Sequence, residues 1–232
     1  MRSVHLFAAL LVFVFAGAAF WLVKGKPGLQ WVVNYLKPLP PPARFDPAFI
    51  RLTAEDIAQL PTAVRFDYPM GSPHGALTYN AQPFRITMHL GDDLNGIGGM
   101  NSDFGDPVYA AGAGRVVFAG TPGTGWGNML ILAHRVPDMI NPAEELVVQT
   151  VYAHLKDVQV VVGQVVQRGE PIGTVGTANG LYFAHLHFEV REGPYINPSV
   201  GYASAPLNRL SPERFLAQRR GAPANVLSPP PH

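Results

Sequence analysis

Between Val64 and Val190 the chain is a succession of short runs rich in β-branched and aromatic residues, separated by turns of glycine, proline and asparagine. The runs read "PFRITMHL", "GRVVFAG", "NMLILAH", "VVQTVYAHL", "DVQVVVGQVV" and "LHFEV". A helical repeat of about 3.6 residues is nearly absent here. Many short strands at close spacing, each ended by turn chemistry, predict a mainly β domain built as an antiparallel sheet or sandwich.

The flanks read differently. Residues 1–23 contain an uncharged stretch, "LFAALLVFVFAGAAFWLV" from Leu6 to Val23, whose 18 residues reach the lower limit for a membrane-spanning helix. Ala16-Gly17-Ala18 also offers a small-residue cleavage site, so the stretch is a membrane anchor or a signal peptide. Either reading exports the rest of the chain. Residues 24–63 form a proline-rich linker, "KPLPPPAR", followed by a short helix in "TAEDIAQL" with Thr53 as N-cap and Pro61 beyond its end. The β domain occupies 64–200. Residues 201–232 are expected as an irregular, partly disordered extension with one short helix from Ser211 to Arg219.

A formal charge of +1 and no long Lys/Arg run argue against a nucleic-acid partner. Cysteine is absent, which excludes disulfides, thiolate metal sites and a cysteine nucleophile. A metal site in this chain must use imidazole and carboxylate.

Three stretches offer them. Met88-His89-Leu90-Gly91-Asp92-Asp93 contains a His-x-Gly-x-Asp, and Gly91 argues for a strand end and turn rather than a helix. Val151-Tyr152-Ala153-His154-Leu155 puts a histidine at the close of a strand. "FAHLHFE" places His185 and His187 two apart, on the same face of a strand. Catalytic Zn²⁺ commonly takes three protein ligands and one water, so His89, Asp93 and one of the paired histidines make a complete set. Zinc acidifies its water into a nucleophile near neutral pH, and the remaining histidines stand within reach for proton transfer.

Each piece alone has a plainer explanation. A strand histidine is commonly a satisfied core or surface residue, and Asp93 beside Asn95-Gly96 resembles ordinary turn chemistry. Glu189, on the face of the histidine pair, and His134 read as structural; Arg85 and Thr87 would share a strand face with His89, and His74 carries little signal. His187-Phe188-Glu189 imitates the H-x-E of zinc deaminases, which also need a cysteine pair that this chain lacks. No G-x-S-x-G elbow, Walker loop or H-E-x-x-H helix is present.

In that order, H-x-G-x-D, Y-A-H-L and H-L-H-F-E resemble the lysostaphin/LytM-type zinc metalloendopeptidases, which cut peptide cross-links of bacterial peptidoglycan. "GDPVYAAGAGRVVFAG" and "GWGNMLILAH" are similar to that family's strands and turns, and the likeness covers roughly residues 80–195. The resemblance implies one Zn²⁺ per chain held by His89, Asp93 and His187, with His154 and His185 catalytic beside the water and substrate. It implies an antiparallel sheet with an open groove, and peptidoglycan stems or bridges as partner. The stretch "LNGIGGMNSDFGD" is longer than in the family's shortest members and is expected at the groove rim. Some members have lost ligands and act as silent cell-wall modules that activate amidases; this chain keeps all five residues. The implied location is periplasmic or envelope, with residues 6–23 holding the protein to the membrane if they are not removed.

Overall fold

The computed structural model describes residues 50–71, 77–198 and 201–220. The anchor or signal stretch, the proline-rich linker, His74 and the "SPPPH" end lie outside the described residues. Among the described residues no helix is long and apolar enough to cross a membrane.

The chain begins with β1 (Ile50–Arg51), α1 (Ala54–Ala58), β2 (Thr78–Gln82), β3 (Asp92–Gly96) and β4 (Pro107–Tyr109). The middle supplies β5 (Gly114–Gly120), β6 (Asn128–Pro137), β7 (Glu145–Leu155), β8 (Val165–Val166) and β9 (Pro171–Thr174). It ends with β10 (Leu186–Glu192), β11 (Tyr195–Ile196), β12 (Arg209–Leu210) and α2 (Pro212–Arg219). Eight strands form one antiparallel sheet in the order β2-β3-β10-β7-β6-β5-β8, with β12 also on β10. Two-stranded ribbons β1–β11 and β4–β9 complete the β structure. The mainly β, antiparallel expectation holds.

The two-residue period of a strand explains why this sheet is covered on both sides. In β6, Leu130, Leu132 and Val136 enter the larger core cluster. Met129, Ile131 and Ala133 enter a second cluster with Leu52, Leu60 and Ile196. Tyr152 and Val151 of β7 divide in the same way. Fully burying a side chain such as Phe188 stabilises the fold by about 1.5–3 kcal/mol, so a one-residue register slip would be costly.

Both expected helices form where their caps stand. Thr53 and Asp56 make a reciprocal capping box on α1, and the Ser211 hydroxyl accepts from the Arg214 N–H at the start of α2. Phe215 and Leu216 of α2 pack into the larger core, so residues 201–220 lie against the sheet.

Two strand expectations fail. "PFRITMHL" folds as consecutive turns: Arg85 sits at φ 66°, and the Phe84 N–H donates to Asp92 Oδ1 at 2.8 Å. The Arg85 guanidinium donates to the Ala203 and Ser204 carbonyls at 2.7 and 2.8 Å, a tertiary tie that outweighs local β preference. Arg85 and Thr87 therefore share no strand face with His89. In "DVQVVVGQVV" only Val165–Val166 is a strand, because Gly163 takes φ 91° and turns the chain.

Candidate metal centre

Strand β10 sends Leu186, Phe188 and Val190 into the larger core, so His187, Glu189 and Arg191 line up on its other face. Asp93 of β3 is paired directly with His187, and its carboxylate rises from the neighbouring strand on that same face. His89 arrives from the turns before β3. A backbone bridge to Tyr202 holds it there, between hydrogen bonds Leu90 N–H to Gly201 at 3.0 Å and Ala203 N–H to Met88 at 2.9 Å. Gly91 makes this convergence sterically possible: a Cβ there would stand 2.6 Å from the Phe188 carbonyl oxygen and 2.9 Å from His187 Cε1.

Ligand atoms of His89, Asp93 and His187 lie within 4.8 Å of one another, and all three residues are buried. His187 Nδ1 is 2.8 Å from His89 Nε2 and 2.9 Å from Asp93 Oδ1; His89 Nε2 is 3.2 Å from that oxygen. The far sides of both rings are committed. His89 Nδ1 faces the Gln82 carbonyl at 3.2 Å, and His187 Nε2 faces Glu189 Oε1 at 3.0 Å. Those oxygens only accept, so the outer nitrogens carry protons, and the inner ones turn lone pairs toward Asp93 wherever no further proton occupies the space between them. Two nitrogen lone pairs and a carboxylate in one small space require a positive charge between them. A divalent cation that accepts imidazole and carboxylate fits this donor set.

The electrostatics state the same demand. Burial by itself would raise the Asp93 carboxyl, but hydrogen bonds to His187 and His89 hold it well below the usual carboxylate range. Burial disfavours a charged His187, yet Asp93 and Glu189 outweigh it and lift the imidazole to about 9. A field that retains a proton so strongly also favours a metal ion in its place.

His154 and His185 flank the cluster. His185 Nε2 is 3.7 Å from Asp93 Oδ1, and the two rings sit 4.7 Å apart, edge to face. Each Nδ1 is held by a carbonyl, that of Trp126 at 3.1 Å for His154 and that of Phe183 at 2.8 Å for His185. Their Nε2 atoms are therefore free to accept. Burial, then the neighbouring His187 and His185, pushes His154 down to about 3, so its imidazole is neutral here.

Asp93, His154, His185 and His187 line a cavity of about 360 Å³ whose walls also include Gln82, two glycines and the aromatic Trp126, Tyr182 and Tyr202. The Trp126 ring lies 5.3 Å from His187, Tyr182 lies 5.1 Å from His154, and Tyr202 lies 5.1 Å from His89. A larger depression of about 920 Å³ shares Gln82, Asp93, Tyr182 and His185, and extends to Phe104 and Asn101. The long insertion thus reaches the groove rim, where Asn101 Oδ1 accepts the Ala184 N–H at 2.8 Å.

Sequence reasoning missed Gln82, Trp126, Tyr182 and Tyr202, none of which belongs to a motif. The one available signal was "GWGN", with Trp126 between glycines at 125 and 127 ahead of a strand. His134 stands apart from the cluster, fully buried between the Ala113 carbonyl at 2.7 Å and the Thr150 hydroxyl at 2.8 Å, as its structural reading implied.

A family model described as Peptidase family M23 matches residues 93–198. Lipoprotein NlpD of Yersinia enterocolitica is 34% identical over 95 residues, which are 40% of this chain and 87% of NlpD. The chain belongs to peptidase family M23. Within this M23 chain the matched segment holds Asp93, His154, His185 and His187, while His89 precedes it and Tyr202 follows it. DD-carboxypeptidase/endopeptidase Mpg of Neisseria meningitidis serogroup B is 34% identical over 122 residues, 52% of this chain. The chain spans 26% of Mpg's length. The solved structure of the antimicrobial peptidase lysostaphin from Staphylococcus simulans aligns with a TM-score of 0.45 at 23% identity, covering 73% of this chain and 59% of lysostaphin.

Proposed function

We propose that this M23 chain is a zinc metalloendopeptidase that hydrolyses peptide cross-links of bacterial peptidoglycan. The observation that carries the reading is the convergence of His89 Nε2, Asp93 Oδ1 and His187 Nδ1, with two further imidazoles of fixed tautomer beside them. Family membership supports the peptidase class, and a relative named as a DD-carboxypeptidase/endopeptidase supports a cell-wall substrate.

His89, Asp93 and His187 would hold one Zn²⁺, whose Lewis acidity polarises a carbonyl and acidifies a water. His154 lines the same cavity with its Nδ1 tied to the Trp126 carbonyl, which would leave Nε2 to act as the general base. His185 lies nearer the Asp93 carboxylate and, on taking a proton from solvent at Nε2, would donate a hydrogen bond to a developing oxyanion; a positioned donor of this kind contributes about 3 kcal/mol. Tyr182 and Tyr202 close the cavity sides and narrow water access around the reacting bond.

Peptidoglycan lies outside the cytoplasm, so this reading requires export, and residues 6–23 supply either a cleaved signal or a retained membrane anchor. A retained helix would be about 27 Å long, near the hydrocarbon thickness of roughly 30 Å.

Full-length protein of measured zinc content, incubated with purified sacculi and followed by mass spectrometry of the released muropeptides, tests the proposal and identifies the bond. Zinc-loaded protein that releases nothing, yet stimulates an amidase on the same sacculi, would make the chain a silent activator instead.

A further inference from the structure

Glu189 is completely buried, and its two oxygens have different tasks. Among the described residues Oε1 faces His187 Nε2 alone, at 3.0 Å. Oε2 receives two guanidinium donors, Arg191 Nε at 2.6 Å and Arg209 Nε at 3.2 Å. Both arginines are themselves buried. Two guanidinium donors on one oxygen favour the charged form of Glu189, so it stands there as a carboxylate. If Glu189 served only as counter-ion, engaging both oxygens with the guanidiniums would suit it better. Instead one oxygen is reserved for the imidazole.

We infer that Glu189, charged by Arg191 and Arg209, is the positioning residue that fixes the proton of His187 on Nε2 and thereby presents Nδ1 to the metal. Glu189 cannot itself be a ligand from this place, since it meets the ring edge opposite Asp93. A carboxylate on the outer nitrogen fixes ring orientation and raises the basicity of the inner one, as with other metal-bound histidines. Residue spacing enforces the arrangement: 187, 189 and 191 alternate onto one strand face, so ligand, carboxylate and guanidinium stand in a row. Arg209 joins them from β12, paired with β10 through Arg191↔Arg209 and lying beyond the segment the family model matches. The C-terminal segment thus supports the metal centre through the charge it places on Glu189.

The inference rests on the zinc reading above, and the experiment separates the two. Zinc affinity is measured by chelator competition on the full chain and on Glu189→Gln and Glu189→Asp, with thermal unfolding of each zinc-free protein as the folding control. Glu189→Asp keeps the negative charge for the arginines but withdraws it from the imidazole, so it is expected to fold and to bind zinc 10- to 100-fold more weakly. Glu189→Gln should show a loss at least as large. A folded variant with wild-type affinity overturns the inference and leaves the zinc site standing, whereas wild-type protein that fails to bind zinc sinks both. One readout needs no variant. In zinc-loaded wild-type protein, the His187 Nε2–H proton should give a downfield, slowly exchanging NMR resonance. Its absence, or rapid exchange with water, overturns the inference.

Discussion

The carbonyl oxygen of Trp126 accepts two hydrogen bonds from His154, one from the backbone N–H at 2.8 Å and one from ring Nδ1–H at 3.1 Å. His154 has φ 64°, a left-handed conformation that is uncommon for a residue with a Cβ. One acceptor therefore holds the backbone in its unusual geometry and also selects the tautomer that leaves Nε2 able to accept a proton. Unusual backbone geometry over-determined in this way belongs to sites where the geometry has a use.

The variant that isolates this role is His154→Asn, because asparagine tolerates positive φ while removing the imidazole. It should retain zinc at the wild-type level and lose about 10²-fold or more in turnover on sacculi. Metal analysis beside the muropeptide assay checks it. Loss of zinc would instead make His154 a ligand.

His187→Ala should abolish stoichiometric zinc binding. A site of three protein ligands has no spare donor, and the alanine also leaves Glu189 Oε1 buried without its imidazole. Metal analysis after gel filtration reads the outcome; full zinc with full activity would refute the ligand assignment.

Gly91→Ala tests the close approach behind the His-x-Gly-x-Asp motif. The added methyl would meet the Phe188 carbonyl at 2.6 Å and force the turn before β3 away from β10. Overpacking of this kind costs about 1–3 kcal/mol, and here it also displaces His187 from His89. Expected results are a lower melting temperature together with weaker zinc binding. An unchanged zinc affinity would show that the ligand geometry tolerates the shift.

His134 gives a pH signature independent of the metal. Burial pushes it down to about 4, while in the unfolded chain it titrates near 6.5. Between those values the unfolded state binds a proton that the folded state refuses. Its contribution is therefore intact above pH 6.5 and falls by about 3 kcal/mol as the pH drops to 4. Denaturant unfolding from pH 7.5 to 4.5, in wild type and His134→Gln, should show a shallower acid-side decline in the variant. Parallel curves would mean that His134 does not carry the effect.

Much of this is legible in the sequence, for local reasons. The runs that became β5, β6 and β7 are largely apolar, β-branched stretches and β10 alternates apolar with polar residues, properties carried within each segment. Thr53 and Ser211 marked their helices because capping is satisfied within three residues. "PFRITMHL" misled because its β preference is local, while the Arg85 bonds to Ala203 and Ser204 that turn it aside come from more than 100 residues away.

The same division runs through the candidate site. Histidine and aspartate at 89, 93, 154, 185 and 187 could be read as a donor set, since ligand chemistry belongs to residue type and without cysteine imidazole and carboxylate are what remain. Which nitrogen each ring turns inward could not be read, because that depends on the Gln82, Trp126 and Phe183 carbonyls and on Glu189, brought to the rings by the fold. Tyr202 and Arg209 were equally hidden. They reach the centre only through the Tyr202 bridge to His89 and the pairing of β12 with β10, long-range contacts that no spacing along the chain encodes. Sequence thus determined the chemistry available to this protein, whereas the tertiary structure decided its direction, because a hydrogen bond's donor and acceptor are settled only once both partners are in place.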